Sequence, residues 1–190
     1  MRGLMQDWPL TIDRIIDHAA RVHGPREVVT RRTDGAIHRT SYAGIHRRAR
    51  QVSAALRALG IGLGDRVATL AWNSERHLEC WYGAMGIGAV LHTLNPRLHP
   101  DQLAWIANDA GSRVLILDTS FVALTEPIRE RLPFGHYVII ADPEQMPVNS
   151  LDAHCYEDWL WNQGTDAAWG GFDESTASGL CYTSGTTGNP

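Results

Sequence analysis

Arg113-Val114-Leu115-Ile116-Leu117-Asp118 places four branched apolar side chains in a row between two charged residues. A strand with one wet face alternates apolar and polar positions, so a run without alternation is a strand covered on both faces. The flanking segments supply the covers. Upstream, Pro100 and Asp101 open a helix that carries Leu103, Trp105, Ile106 and Ala107 and ends at Gly111. Downstream, Ser120 to Leu132 is expected to be helical with an interruption at Pro127, and Tyr137 to Ala141 is another apolar strand. Toward the N-terminus, Ser74 caps a helix running to about Gly86, between the strands Arg66–Trp72 and Ala89–Thr93. Ser41 caps the clearest helix, whose apolar positions Ile45, Ala49, Val52, Leu56 and Leu59 keep helical spacing until Gly60 ends it. Glu27 to Arg32 and Ile37 to Tyr42 flank Asp34-Gly35 as a β-hairpin. Thr11 is expected to cap a first helix containing Ile12, Ile15, Ile16, Ala19 and Val22. Between Asp142 and Ser178 the chain is rich in Gly, Pro, Asp, Asn and Gln, an irregular connection with one helical turn near Tyr156 to Trp161. Continuous apolar strands alternating with amphipathic helices give an α/β fold: a mostly parallel sheet flanked by helices, with an N-terminal β-hairpin.

Composition sets the outer bounds. The chain has 190 residues, 44% hydrophobic and 20% charged, with a net charge of −4. That length buries roughly 70% of the unfolded surface, enough for a core. The acidic balance gives no general reason to expect nucleic acid. No apolar run reaches the roughly 18 residues of a membrane span, although peripheral association stays open. Asp7 arrives too early for the apolar core of a signal peptide. Cys80, Cys155 and Cys181 are odd in number and far apart, which fits free thiols in a cytoplasmic setting.

Chemistry concentrates at the end of the chain. Tyr182-Thr183-Ser184-Gly185-Thr186-Thr187-Gly188-Asn189-Pro190 follows the short apolar stretch Gly179 to Tyr182. Glycine lets backbone N–H groups approach an anion, successive N–H groups in a turn form an anion-binding nest, and hydroxyls add donors and an oxygen ligand for Mg²⁺. Other nucleotide motifs are excluded. All seventeen basic Lys+Arg residues are arginines, so no Walker A lysine exists. Gly60-Ile61-Gly62-Leu63-Gly64 follows a helix and precedes a strand, the reverse of the dinucleotide-binding order.

The remaining candidates have plainer explanations. The nine histidines include no H-E-x-x-H, and His77-Leu78-Glu79 matches half of a zinc deaminase signature without its cysteines. Arg47, Arg48, Arg50 and Arg57 suggest the solvated face of an amphipathic helix, the tryptophans mostly core packing, and Cys181 a buried strand position. No G-x-S-x-G hydrolase elbow is present.

The closing segment resembles the phosphate-binding motif of AMP-forming acyl-CoA synthetases (fatty acyl-CoA ligases), within the acyl-adenylating superfamily. Further stretches are similar to the same family: Tyr42 with its helix, Gly64-Asp65-Arg66-Val67-Ala68, Trp72-Asn73-Ser74 with Glu79 and Gly83 to Leu91, His92-Thr93-Leu94-Asn95-Pro96-Arg97-Leu98, Arg113 to Leu115, and Phe172-Asp173-Glu174. The resemblance implies that residues 1–190 are the N-terminal portion of a large adenylation domain, broken off inside the motif one residue before the family's lysine. It implies that Thr183, Ser184, Gly185, Thr186, Thr187 and Gly188 wrap the ATP phosphates, with Thr183 as the Mg²⁺-side hydroxyl. A carboxylic acid, a fatty acid by subfamily, is then activated with ATP to acyl-AMP and transferred to coenzyme A. No catalytic residue falls within the 190 residues, so this stretch alone is expected not to form acyl-adenylate and to need the rest of the enzyme. Another adenylating enzyme (an aryl-CoA ligase or a peptide-synthetase adenylation domain) and a non-catalytic nucleotide-binding or interaction protein remain as alternatives.

Overall fold

The computed structural model describes residues 3–183; Ser184 to Pro190, which hold most of the Gly/Ser/Thr run, lie outside the described residues. The helices are α1 Asp13–His23, α2 Tyr42–Ala58, α3 Glu75–Gly86, α4 Pro100–Asp109, α5 Val122–Thr125 and α6 Tyr156–Trp161. The strands are β1 Glu27–Arg31, β2 Ile37–Ser41, β3 Arg66–Leu70, β4 Val90–Thr93, β5 Val114–Asp118, β6 His136–Ile140, β7 His154–Cys155 and β8 Gly179–Cys181. β1 and β2 form the expected antiparallel hairpin. The other six strands make one sheet in the order β7-β6-β5-β3-β4-β8, and every pairing in it is parallel.

Both faces of the central strands are covered, as the unbroken apolar run requires. Val114 and Ile116 of β5 join Val67, Val138 and Ile140 under α2, α3 and α6. Leu115 and Leu117 join Ala68, Leu70 and Ile139 under α4 and the segment containing Phe121 and Ile128. Alternate residues of one strand thus feed opposite cores, the direct consequence of the two-residue period of a strand. The helix boundaries follow from their caps. Ser41 Oγ accepts from Gly44 N at 3.2 Å, and Ser74 Oγ accepts from His77 N at 3.2 Å. Gly60, just past α2, takes φ +74°, a conformation closed to most side chains. At α4, His99 Nδ1 accepts from Asp101 N and Gln102 Oε1 accepts from His99 N, a reciprocal cap built on Pro100.

Several expectations are corrected. Thr11 is not the cap of α1; Ile12 occupies that position in helical conformation with no side-chain bond, one residue later than the pattern suggests. The helix expected over Ser120 to Leu132 is reduced to the four residues of α5, followed by a 3₁₀ stretch Glu126–Arg131. Pro127 is the reason: it has no N–H for the i−4 carbonyl, and its ring collides with that carbonyl. Cys181 does lie in a strand, but it is exposed, on β8 at one end of the strand order among the described residues. The tryptophans are mostly outside the core: Trp8, Trp72, Trp81, Trp105 and Trp161, five of the seven, are 36% exposed or more. Their size makes full burial hard, and the polar indole N–H favours positions that keep one side wet.

The arginine face of α2 is solvated only in part: Arg47 and Arg57 are exposed, whereas Arg48 and Arg50 are half-buried. Arg48 donates from Nε to Glu79 Oε1 at 2.8 Å and through its two Nη atoms to Glu157. Arg50 lies 4.4 Å from the Trp169 ring centroid and donates to the Ala167 carbonyl, while Arg57 donates to that of Ala168. Guanidinium forks suit these contacts because they present several fixed donors and a flat face for stacking. The network ties the irregular connection after β6 onto the helices. Arg76 bridges Asp142 and Glu157, and Arg32 bridges Glu75 and Asp142. Within it Glu79 is almost fully buried. Burial pushes its carboxyl up to about 7, with Arg48 and the Tyr156 hydroxyl pulling the other way.

Candidate active-site edge

The Gly/Ser/Thr run leaves the sheet from the carboxyl end of β8. Gly179, Leu180 and Cys181 pair with Leu91, His92 and Thr93 of β4, so Thr183 emerges beside the end of β4. In open parallel sheets that end of the strands is where ligands bind, since successive strands deliver their loops to one rim. Thr183 is exposed there, and its hydroxyl fits the requirement for a group that meets a phosphate or a hydrated Mg²⁺. Ser184, Gly185, Thr186, Thr187 and Gly188 lie outside the described residues.

Tyr182, the residue before that exit, is held on three sides. Its hydroxyl donates to Asp109 Oδ2, the last residue of α4, at 2.6 Å. Its ring meets Trp105 edge-on at 6.3 Å and the His92 imidazole at 5.4 Å. Burial and the Asp109 carboxylate push the phenol up to about 12, so it stays a donor at any physiological pH. Below it, His92 is fully buried on β4, with Nδ1 2.9 Å from Ser112 Oγ and Nε2 without a partner among the described residues. Burial pushes this imidazole down to about 4, so it is neutral at pH 7. His92 stands in the segment that carries the subfamily resemblance, but sequence reasoning did not single out its side chain; nothing local shows that β8 will lie over it.

A second concavity went unnoticed in the sequence. A cleft of ≈ 440 Å³ opens at the carboxyl ends of β3 and β5, where the strand order reverses, bordered by Trp72, Ser74, Arg76, Asp118 and Ser120. Asp118 Oδ2 accepts from Trp72 N at 2.5 Å, and the Trp72 indole donates to Ser120 Oγ at 3.3 Å. Burial raises the Asp118 carboxyl, and the bond from Trp72 draws it back down. His77, half of the deaminase-like pattern, is used internally instead: Nε2 lies 3.0 Å from Thr69 Oγ1 and accepts from Trp81 Nε1 at 3.2 Å. Among the described residues no three His, Cys, Asp or Glu side chains converge where they could hold a metal ion, and no described helix is long and apolar enough to cross a membrane.

The sequence pattern of the AMP-binding enzymes matches residues 16–190. The chain belongs to this family. The chain is 46% identical, over its whole length, to the 3-methylmercaptopropionyl-CoA ligase of Ruegeria lacuscaerulensis, of which it covers 36%. It is 41% identical to the medium-chain-fatty-acid–CoA ligase of Ectopseudomonas oleovorans, again over all of this chain and 35% of the relative. Among solved structures, an anthranilate CoA ligase in complex with anthranoyl-AMP superposes with a TM-score of 0.86 at 26% identity, over 100% of this chain and 35% of that one. The chain therefore spans about a third of the length of the relatives it matches. The α/β architecture, the parallel sheet and the hairpin are those of the first part of an adenylation domain, as the resemblance implied.

Proposed function

We propose that the full-length protein is an AMP-forming acyl-CoA ligase, of whose adenylation domain residues 1–190 are the first part. The observation that carries this reading is the family match extending through Tyr182 to Pro190, the Gly/Ser/Thr run that follows the carboxyl end of β8. An acid carboxylate attacks the α-phosphorus of ATP, the bond to the β,γ-phosphates breaks, and acyl-AMP and pyrophosphate result. The thiol of coenzyme A then attacks the acyl carbon and AMP leaves. The first half brings an anion onto a polyanion and needs donors aimed at the leaving pyrophosphate. Backbone N–H groups and hydroxyls from Thr183 to Gly188 are suited to that task, with Thr183 as the hydroxyl nearest a bound Mg²⁺. The metal would supply charge neutralisation of the phosphates. A reducing compartment, the cytoplasm, suits the three free thiols.

For the acid, the relatives' own names favour an unbranched aliphatic chain, with fatty acids and thioether acids of short length as the classes to compare. The test is pyrophosphate release by the full-length protein with ATP, Mg²⁺ and a panel of aliphatic and aryl acids, with and without coenzyme A. Release that depends on an aliphatic acid is expected. Thr183→Val should lower kcat/KM for ATP by at least about tenfold, the scale of one lost hydrogen bond to a charged ligand. Release driven best by aryl acids would move the protein to the aryl ligases, and no acid-dependent release at all would refute the enzyme reading.

A further inference from the structure

The cleft at the carboxyl ends of β3 and β5 is separate from the edge where the Gly/Ser/Thr run begins, since β4 stands between β3 and β8. Its volume of ≈ 440 Å³ is that of a small-ligand site, and open parallel sheets hold ligands where the strand order reverses. Two of the carboxylates lining it are buried and short of partners. Glu75, the first residue of α3, is 2% exposed; its Oε1 accepts from Arg32, but Oε2 has no partner among the described residues. Asp118, the last residue of β5, is 6% exposed; Oδ2 accepts from Trp72 N, and Oδ1 has no hydrogen bond among the described residues. A buried carboxylate oxygen without a donor is costly, so a ligand that brings donors is favoured here.

The arginines nearby do not cancel this charge. Arg32 pairs with Glu75 and Asp142, Arg76 with Asp142 and Glu157, and Arg48 with Glu79 and Glu157. Those three guanidiniums face Glu75, Glu79, Asp118, Asp142 and Glu157, a net charge of −2, or −1 with Glu79 protonated. On the rim Arg31 and Asp34, both exposed, cancel, and His38, 3.8 Å from Glu75 Oε1, adds charge only when protonated. Arg76 Nε also lacks a partner among the described residues, but its guanidinium charge is already paired with Asp142 and Glu157. Burial holds the Asp118 carboxyl up and the Glu75 charge adds to it, against the Trp72 bond and the Arg76 charge. A cation in the cleft offsets both upward effects.

The wall beside Asp118 is aromatic. Trp72 is 45% exposed, its ring rests on Phe121 with centroids 5.1 Å apart, and Ser120 Oγ accepts its indole N–H at 3.3 Å. The ring is thereby fixed next to the Asp118 carboxylate, which its own backbone N–H meets. An indole face attracts an ammonium ion and packs an apolar stem. A bare metal ion fits less well: among the described residues no third His, Cys, Asp or Glu converges with these two, and hard cations take six or more oxygen ligands. We propose that this cleft binds a small organic ammonium ion on an apolar stem, the charge held by the Asp118 and Glu75 carboxylates and the stem by Trp72. The site is independent of the ligase reading.

The experiment titrates the full-length protein calorimetrically, at low ionic strength, with phenethylammonium chloride and with phenethyl alcohol, a neutral molecule of the same shape. We expect a dissociation constant of about 1 mM or below for phenethylammonium. Phenethyl alcohol should bind at least about tenfold more weakly, because it leaves the carboxylates unpaired. Asp118→Asn keeps an acceptor for Trp72 N and removes the charge; it should weaken phenethylammonium at least about tenfold. Trp72→Ala should weaken it about three- to tenfold, and Trp72→Phe by less, since an aromatic face is still present. ATP together with an aliphatic acid should not displace the probe. Phenethyl alcohol binding as tightly as phenethylammonium would overturn the site, as would affinity unchanged in Asp118→Asn, displacement by ATP and acid, or no binding of phenethylammonium at all. The two probes compared on wild type decide the question where a variant fails to fold.

Discussion

Gly83→Ala sets helix propensity against packing at the closest approach of two helices. Gly83 lies in the middle of α3, where alanine is favoured over glycine by roughly 1 kcal/mol. Propensity alone therefore predicts a more stable protein. The structure predicts the reverse. A Cβ at Gly83 would lie 2.6 Å from Val52 Cγ1, 2.7 Å from Val52 Cβ and 2.8 Å from the Ala49 carbonyl oxygen, all on α2. Cβ and backbone atoms cannot swing aside as the tip of a long side chain can, so α2 and α3 must separate. Separation also disturbs a polar joint at the same point. Ser53 Oγ donates to the Gly83 carbonyl at 2.6 Å and accepts from Trp169 Nε1 at 2.7 Å. Overpacking of a tight core costs typically about 1–3 kcal/mol, and contacts this short with backbone belong at the upper end. Set against the propensity gain, the net destabilisation is about 2 kcal/mol, which lowers the unfolding midpoint. Thermal unfolding of the full-length protein, read at the transition lost first, measures it. A midpoint at or above wild type in Gly83→Ala would refute the packing argument.

Other expectations concern buried charge. His77 and His92 are held neutral by burial, at about 4 each against 6.5 for an unperturbed imidazole. A depressed histidine binds fewer protons folded than unfolded, so its contribution is full above 6.5 and is lost as pH falls toward 4, at most about 3 kcal/mol each. The stability advantage of wild type over His92→Gln in urea unfolding should accordingly shrink between pH 7 and pH 4.5, and a constant difference would exclude the effect. Glu79 runs the other way: raised by burial from 4.5 to about 7, it binds more protons folded than unfolded. Stability therefore falls as pH rises between those values, and the advantage of wild type over Glu79→Gln should decline by up to about 3 kcal/mol from pH 4.5 to 7. A pH-independent difference would mean that Arg48 fully offsets the burial.

Much of the fold is legible because its signals are local. The run Val114 to Leu117 is apolar on both sides of the chain, and that alone demands two covers; the structure supplies α3 on one face and α4 on the other. Ser41, Ser74 and Gly60 mark helix ends through bonds and dihedrals that involve only their own neighbours. Pro127 warned of a broken helix but not of how short the helical remnant would be, since that depends on how Phe121 and Ile128 settle into the core. Arg48 and Arg50 of α2 depart from the solvated face for a related reason. Helical spacing identifies which side of α2 is polar, but Glu79, Glu157 and Trp169, which occupy that side, arrive from other elements.

At the site the division is similar. The Gly/Ser/Thr run stands out in the sequence because its residue types are contiguous, and the family match extends through it. The contacts of the residue before it are not visible: Tyr182 and Asp109 become neighbours only when β8 docks beside β4. Sequence by itself determined the α/β class and the parallel strands, for these follow from short-range sterics and hydrophobic periodicity. Only the tertiary structure decided the strand order β7-β6-β5-β3-β4-β8, the cleft where that order reverses and the partners of each buried charge. Those depend on which distant surfaces bury each other best, a free energy that no local pattern encodes.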